Sequence, residues 1–154
     1  WSNFPGGVGV EGWDGTPDVE IQTDATLSTI DSQDGDGYYA ELDTHRNTRM
    51  TQALSLGAGS YLLPFYYSPR INNGSLNTNG LGYGIEGLFA ESIIGAPDET
   101  YPHGAWPLVS ALYEIATAGD YDLFFQGEGA ERESKCSLLM LTGVAGLAGF
   151  RRFA

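Results

Sequence analysis

The sequence predicts an all-β fold, an antiparallel β-sandwich of the jelly-roll type. Short segments alternate between apolar and polar residues with the period of two that strands require. Glycine-rich turns separate these segments, and about eight such segments in a row are typical of a sandwich or jelly roll. The 154 residues suffice for one domain of this kind, since a chain of this size buries about two thirds of its unfolded surface.

The first elements follow from local patterns. Residues 1–13 are rich in aromatic residues and glycine, which predicts an irregular lead-in. Alternation begins with a short strand at Val19–Gln22. A polar loop over residues 23–37 leads to the next predicted strand, residues 38–43.

Residues 34–70 are expected to contain the central hairpin of the sandwich. Its two strands are residues 50–56 and 61–67, joined by the glycine-flanked turn at Ala58. The second strand is the strongest in the chain, because both of its faces are apolar. Pro64 cannot donate a backbone hydrogen bond, so we expect an unpaired edge position or a bulge there.

The next elements are a hairpin and two strands. Residues 83–89 and 91–94 predict the hairpin. Residues 106–115 fit either a strand or an amphipathic helix, and the strand is favoured because alternation resumes directly after a tight turn at Ala118-Gly119-Asp120. That resumed alternation, through Tyr121, Leu123 and Phe125, predicts the last strand of the domain.

The C-terminal segment differs from the rest of the chain. Residues 131–135 are charged, residues 138–150 are apolar and small, and Arg151 and Arg152 follow. As a helix, the apolar part would span roughly 20 Å, short of the ~30 Å hydrocarbon core of a bilayer. We therefore divide the chain into a sandwich domain at 1–130 and a tail at 131–154, the tail being an anchor, part of the core or a subunit interface.

Charge excludes one class of partner. The chain has 20 Asp and Glu against 7 Lys and Arg, a formal net charge of −13. A nucleic-acid backbone would be repelled, so we expect no nucleic-acid partner. The single cysteine, Cys136, allows no intramolecular disulfide, so the core alone must stabilise the fold.

Three stretches resemble a known family: Val19–Gln22, Glu41-Leu42-Asp43 and Tyr67-Ser68-Pro69-Arg70. They are similar to stretches in the galactose-binding-like jelly-roll domains of bacterial PEP-CTERM surface proteins, over residues 12–126. The tail resembles the apolar segment and arginines of the sorting signal in those proteins. The resemblance implies an exosortase-sorted protein at the cell surface or outside a Gram-negative bacterium, associated with exopolysaccharide and biofilm, with transient membrane association through the tail.

The chain departs from this family at both ends of the domain. The first strand, with an Asn-Gly-Ser-Phe-Glu type of stretch, and the last, with an Ile-Asp-Asn type, are missing, and the tail lacks Pro-Glu-Pro. Three explanations stay open: the chain is part of a longer one, another copy supplies the missing edge strands, or residues 138–150 fill the gap. An open edge would favour assembly by strand addition.

Two groups of residues are candidate sites. Oxygen ligands are densest in the cluster of Asp31, Asp34, Asp36, Glu41 and Asp43, and the first three are the predicted metal ligands. Gly35 and Gly37 allow backbone carbonyls to turn inward beside them, and the hard cation that takes such ligands is calcium. A solvated acidic turn is the alternative. The second group lies at strand ends, and it combines charges that could bind sugar hydroxyls or form structural ion pairs with aromatic rings that could stack on a sugar or fill the core. Its members are Glu20, Glu41, Asp43, Arg70, Tyr67 and Trp106, with Tyr66 as a further aromatic.

No catalytic motif accompanies these residues. The sequence contains no HExxH, GxSxG or phosphate-binding GxxxxGK[ST] pattern, and chance pairs of carboxylates are unavoidable in so acidic a chain. We therefore expect a non-catalytic extracellular protein that binds carbohydrate, either an exopolysaccharide or a cell-wall glycan. The alternative is a structural subunit that assembles with copies of itself into a surface fibre or layer.

Overall fold

The computed structural model describes residues 2–4, 12–16, 19–22, 39–42, 47–69, 79–95, 106–128, 136–139 and 151–153. These residues form two antiparallel sheets, which confirms the predicted β-sandwich. No helix in these ranges has the length and hydropathy needed to cross a bilayer. The strands are β1 (Ser2–Phe4), β2 (Asp14–Thr16), β3 (Val19–Gln22), β4 (Tyr39–Glu41), β5 (Arg49–Leu56), β6 (Gly59–Pro69), β7 (Asn79–Ile85), β8 (Phe89–Gly95), β9 (Leu108–Ile115), β10 (Gly119–Glu128), β11 (Cys136–Leu139) and β12 (Arg151–Phe153).

The two sheets have different sizes. The larger sheet has the order β1-β3-β4-β11-β6, with β9 on the far side of β6 and β12 also paired with β6. The smaller sheet has the order β2-β5-β10-β7-β8. Residues 2–4 therefore form a strand within the segment predicted to be irregular, because their backbone groups pair with β3.

The core lies between the two sheets. At its centre Phe65 of the larger sheet makes edge-to-face contacts with Tyr83 and Phe125 of the smaller sheet. The ring centroids are 4.8 Å and 5.1 Å apart, respectively. Such aromatic pairs add stability beyond the area they bury. Towards one side, Tyr113 packs against Phe89. Burial, together with Tyr83 and Glu91, raises the pKa of the Tyr113 phenol, which therefore stays neutral.

The predicted central hairpin is wrong. The strands β5 and β6 belong to different sheets, so Gly57 and Ala58 form an arch across the sandwich and not a hairpin turn. Residues 116–118 form a second arch between β9 and β10, and the two arches are neighbours because Leu56 pairs with Gly119 and Gly59 pairs with Ile115. Alternation assigns a residue to a face of its strand and does not identify the neighbouring strand, so it is the same in an arch and in a hairpin.

A tyrosine holds each arch. The Tyr61 hydroxyl donates to the Gly57 carbonyl oxygen at 3.1 Å, and the Tyr121 hydroxyl donates to the Thr117 carbonyl oxygen at 2.5 Å. Both bonds run back four residues along the chain, as in the tyrosine corner of other sandwiches. They satisfy carbonyl groups that the turn removes from the sheet ladders.

The second predicted hairpin is confirmed, with a shifted turn. Strands β7 and β8 are paired, but residues 86–88 form the turn, and Phe89 begins the second strand where it was expected to end the first. The Leu88 N–H donates to the Ile85 carbonyl oxygen at 3.1 Å. Gly87 has a φ of 73°, a left-handed conformation that glycine adopts without steric cost, so it determines where the chain turns.

The prediction of a strand at residues 106–115 is confirmed as β9, and the helix alternative is wrong. Burial alternates strictly along this strand. The core-facing side chains are Val109, Ala111, Tyr113 and Ile115, whereas Leu108, Ser110, Leu112 and Glu114 are exposed.

Pro64 lies where two strands leave a gap along β6. On one side, β11 pairs up to Tyr66 and β12 pairs from Leu62, so none of the described residues pairs with Pro64 there. Within the described residues this gap agrees with the unpaired edge position or bulge that the sequence predicts at this proline. Because β11 lies between β4 and β6, the chain returns to the sheet after residue 130, although the predicted division into domain and tail is not tested. Residues 140–150, the main part of the predicted apolar segment, lie outside the described ranges.

Candidate functional site

The candidate site lies on the outer face of the larger sheet, the face opposite the core. Alternation along β3 sends Val19 and Ile21 towards the core, and along the β4 segment it sends Ala40 and Leu42 there. The residues that alternate with them face outward. Along β6 the same alternation buries Phe65 and Tyr67 in the core and turns their neighbours outward. The outward-facing residues that form this cluster, called here the outer cluster, are Glu20, Gln22, Tyr39, Glu41, Tyr66 and Trp106.

A chain of hydrogen bonds links the polar members of the outer cluster. The Tyr39 hydroxyl donates to Gln22 Oε1 at 2.7 Å, and Gln22 Nε2 in turn donates to Glu41 Oε2. Because the Gln22 amide donates with one end and accepts with the other, its orientation follows from its two partners. All three residues are buried. This polar chain therefore fixes the position of the Tyr39 ring.

Two carboxylates of the outer cluster face each other. Glu20 and Glu41 are direct partners across β3 and β4, with exposed fractions of 3% and 0%. Like charges in this position are unfavourable, and burial strengthens their interaction. The same face also contains Ser68, a buried hydroxyl with no hydrogen-bond partner in the described residues. This face therefore combines two buried carboxylates with a buried hydroxyl.

The aromatic members form a small cluster separate from the core. The Tyr39 and Trp106 rings are 5.7 Å apart and tilted by 60°, and Tyr66 packs against the same group. Tyr39 is buried, whereas Trp106 and Tyr66 are half-buried. Trp106 is held on one side by Tyr39 and remains partly open to solvent, which is the arrangement that a flat apolar ligand surface can contact.

The structure brings together three of the predicted binding residues. Glu20, Glu41 and Trp106 belong to the outer cluster, although both carboxylates are buried and do not protrude at the edge of the sheet. Tyr67, by contrast, is fully buried in the core, and the outward-facing aromatic residue next to it is Tyr66.

The remaining predicted site residues lie outside the described ranges. These are Asp43 and Arg70 of the sugar-binding prediction and Asp31, Asp34 and Asp36 of the calcium prediction. Among the described residues, no group of three or more His, Cys, Asp or Glu side chains is arranged to bind a metal ion. Calcium binding stays a prediction.

Solved structures with this fold are similar to the chain, although the sequence matches no family model and no curated protein. The carbohydrate-binding module TmCBM61, solved in complex with β-1,4-galactotriose, has a TM-score of 0.55 and 16% identity over 83% of each chain. The chain has the β-sandwich fold of carbohydrate-binding modules. A family 35 module from Clostridium thermocellum has a TM-score of 0.50 and 12% identity, over 90% of this chain and 96% of its own. Another family 35 module, from an environmental isolate, has a TM-score of 0.50 and 12% identity, over 100% of this chain and 98% of its own.

Within this carbohydrate-binding-module fold, sequence reasoning missed Gln22. It carries no charge and was read only as part of a strand, yet it connects Tyr39 to Glu41. Its position two residues after Glu20 places both on the same face of β3, and this signal was present in the sequence. The neighbouring structures share the β-sandwich fold, and the galactose-binding-like family and the sorting function of the tail stay predictions.

Proposed function

We propose that this chain is a non-catalytic carbohydrate-binding module that binds polysaccharide on the outer cluster, with Trp106 and Tyr66 as the contact surface. The observation that carries the proposal is Trp106, which is half-buried, held by Tyr39 and located on a sheet face away from the core. Exposed apolar surface of this kind marks interaction sites.

The surface around Trp106 suits a sugar ring. Pyranose rings have an apolar face of C–H groups that can lie flat on an aromatic ring, while their hydroxyl groups remain at the edges. Leu108 pairs directly with Tyr66 and is 54% exposed, so it extends the apolar surface along β9. Ser110 follows on the same face and offers a hydroxyl for hydrogen bonds to the sugar.

The buried polar residues of the outer cluster act indirectly. Gln22 and Glu41 fix Tyr39, and Tyr39 in turn supports Trp106, so the contact surface is formed before the ligand arrives. A preformed surface loses less conformational entropy on binding, which increases affinity. We further propose that Asp43 and Arg70 bind sugar hydroxyls beside this surface, as the sequence predicts.

Three further parts of the proposal concern the wider role of the chain. Absence of catalysis is supported by the neighbouring structures named as binding modules. A location outside the cell is supported by the acidic composition, with a net charge of −13, and by the resemblance to sorted surface proteins. The ligand class, carbohydrate, is supported by the β-1,4-galactotriose bound to TmCBM61.

The test is affinity electrophoresis and calorimetry with a panel of polysaccharides that includes β-1,4-galactan. The Trp106→Ala variant should lose at least about tenfold in affinity for the polysaccharide that the wild type binds, because the stacking surface is removed. Tyr66→Ala should weaken binding to a smaller extent.

The matched control is Leu88→Ala, which removes an exposed apolar side chain from the β7–β8 turn of the smaller sheet. It should bind as the wild type does. If Trp106→Ala retains full affinity and an unchanged melting temperature, the outer cluster is not the binding site. If the wild type binds nothing in the panel, the proposed function is wrong.

A further inference from the structure

The strand β9 forms an open edge of the larger sheet within the described part of the chain. It pairs with β6 on one side, and no described strand pairs with its other side. The Tyr67 N–H donates to the Pro107 carbonyl oxygen at 3.3 Å, which identifies the odd-numbered residues of β9 as those bonded to β6. The backbone N–H and C=O groups of Leu108, Ser110 and Leu112 therefore point away from the sheet.

This edge lacks the features that usually prevent strand addition. Natural edge strands are short or carry lysine, proline or inward-pointing charges. The strand β9 has eight residues and one charge, Glu114, near its end. Its outer face exposes Leu108 by 54% and Leu112 by 63%. An edge that is long, regular and apolar is suited to binding another strand.

We propose that this edge binds β9 of a second copy, antiparallel, about a two-fold axis that passes between the two Ser110 residues. In this register Leu108 lies opposite the partner's Leu112, and Leu112 lies opposite the partner's Leu108. Even-numbered residues meet even-numbered residues, so the free backbone groups of both strands bond to each other. Glu114 lies opposite the partner's Trp106 and not opposite another carboxylate.

The self-complementary sequence of the edge makes a second copy the occupant. A two-fold pairing uses the same surface on both molecules and closes on itself, so it produces a dimer and not the fibre of the sequence-based alternative. The net charge of −13 on each chain opposes association. Because salt screens this repulsion, the dimer should become more stable as ionic strength rises.

The dimer would also change how polysaccharide is bound. A two-fold axis perpendicular to the joined sheet places both outer faces on the same side of the dimer. The two pairs of Trp106 and Tyr66 would then lie on one continuous surface, and a long polysaccharide could occupy both, with a gain in avidity. This consequence rests on the proposed function, whereas the interface does not.

The first test is the mass of the full chain by sedimentation velocity, over a concentration series in low and high salt. Ser110→Pro removes the N–H at the two-fold axis, and the monomer should tolerate it because that N–H pairs with none of the described residues of its own copy. Ser110→Pro should lower the affinity of the dimer at least about tenfold. Ser110→Ala keeps the N–H and should dimerise as the wild type does.

The second test fixes the register, with every variant carrying Cys136→Ser. Directly opposite residues of a hydrogen-bonded pair have Cα atoms about 5.5 Å apart, within the range of a disulfide. Ser110→Cys should therefore form a cross-linked dimer on oxidation, whereas Leu112→Cys should not. A monomer at every concentration and salt, a dimer unchanged by Ser110→Pro, or cross-linking of Leu112→Cys alone would each overturn the proposal. None of these results affects polysaccharide binding by a single copy, which Trp106→Ala tests separately.

Discussion

The outer faces of the two sheets differ in how they are covered. The smaller sheet covers its own outer face with its own side chains. In β7, Gly80, Gly82 and Gly84 are buried although they lie on that face. The side chain of Glu128 lies over Gly82, and Phe124 pairs directly with Gly84. Arg49 closes the surface by lying 4.3 Å above the Phe124 ring.

The larger sheet leaves part of its outer face open. Trp106 and Tyr66 are half-buried, and Leu108 and Leu112 are exposed. Beside them lie two buried carboxylates, Glu20 and Glu41, that face each other. The smaller sheet is thus closed by its own side chains, whereas the larger sheet exposes apolar groups beside two buried carboxylates that are cross-strand partners. This difference agrees with the proposal that the larger sheet carries the binding face.

The largest expected effect tests whether the glycine row of β7, formed by Gly80, Gly82 and Gly84, is needed for stability. Gly84→Ala should lower the free energy of unfolding by about 3 kcal/mol, measured by urea denaturation. The φ of Gly84 is 158°, and an added Cβ would collide with the Phe89 carbonyl oxygen and approach the Ala90 Cα at 2.9 Å. Both obstacles are backbone atoms of β8 and cannot move aside independently.

The matched control is Gly87→Ala in the same hairpin. Its φ is 73°, but an added Cβ would have no atom within 4 Å. Only the conformational cost remains, and the loss should be about 1 kcal/mol. Equal losses in the two variants would mean that the close approach of β8 to Gly84 does not matter, and the contrast between the two outer faces would weaken.

Sequence patterns predicted where the strands of both sheets lie far better than they predicted which strands pair with each other. Alternation along residues 106–115 predicted a strand with two faces, and the structure places Val109 and Ile115 in the core and Leu112 outside. It could not show that the turn at Ala58 crosses from one sheet to the other, because a face assignment contains no information on pairing.

The same limit explains the outcome at the site. Glu20, Glu41 and Trp106 were selected for charge and aromaticity, and they come together because β3 and β4 pair and Trp106 packs on Tyr39. Of two adjacent tyrosines, Tyr67 was selected although its ring lies in the core. Pro64 and Ser68 share a face with Tyr66 and could have marked that face as the outer one.

A smaller effect tests the charge pair of the larger sheet. Glu20→Gln should raise the free energy of unfolding by about 1 kcal/mol, because it removes a negative charge opposite Glu41 and keeps the shape of the side chain. The control is Glu114→Gln on the same sheet, where the glutamate is exposed and accepts a hydrogen bond from Ser60 at 2.5 Å. That change should stay within about 0.5 kcal/mol. A loss of stability in Glu20→Gln would show that the Glu20 charge is compensated in the folded protein.

The smallest effect concerns the ion pair that closes the smaller sheet. Arg49 and Glu86 form a salt bridge with side chains that are 31% and 57% exposed. Exposed pairs contribute between about 0 and 1 kcal/mol, so Glu86→Gln should lower the free energy of unfolding by about 0.5 kcal/mol. The loss should disappear in 1 M salt, where the Debye length is about 3 Å.

Arg49→Gln should cost more than Glu86→Gln, and the difference should persist in high salt. The guanidinium also covers the Phe124 ring, and this contact depends on packing as well as on charge. Thermal denaturation of both variants at two salt concentrations separates the two contributions. If the two variants lose the same stability and both recover in salt, Arg49 acts through the ion pair alone. The packing of Arg49 on the Phe124 ring would then add no stability to the outer face of the smaller sheet. The difference between the two outer faces would then depend on Trp106 and its neighbours.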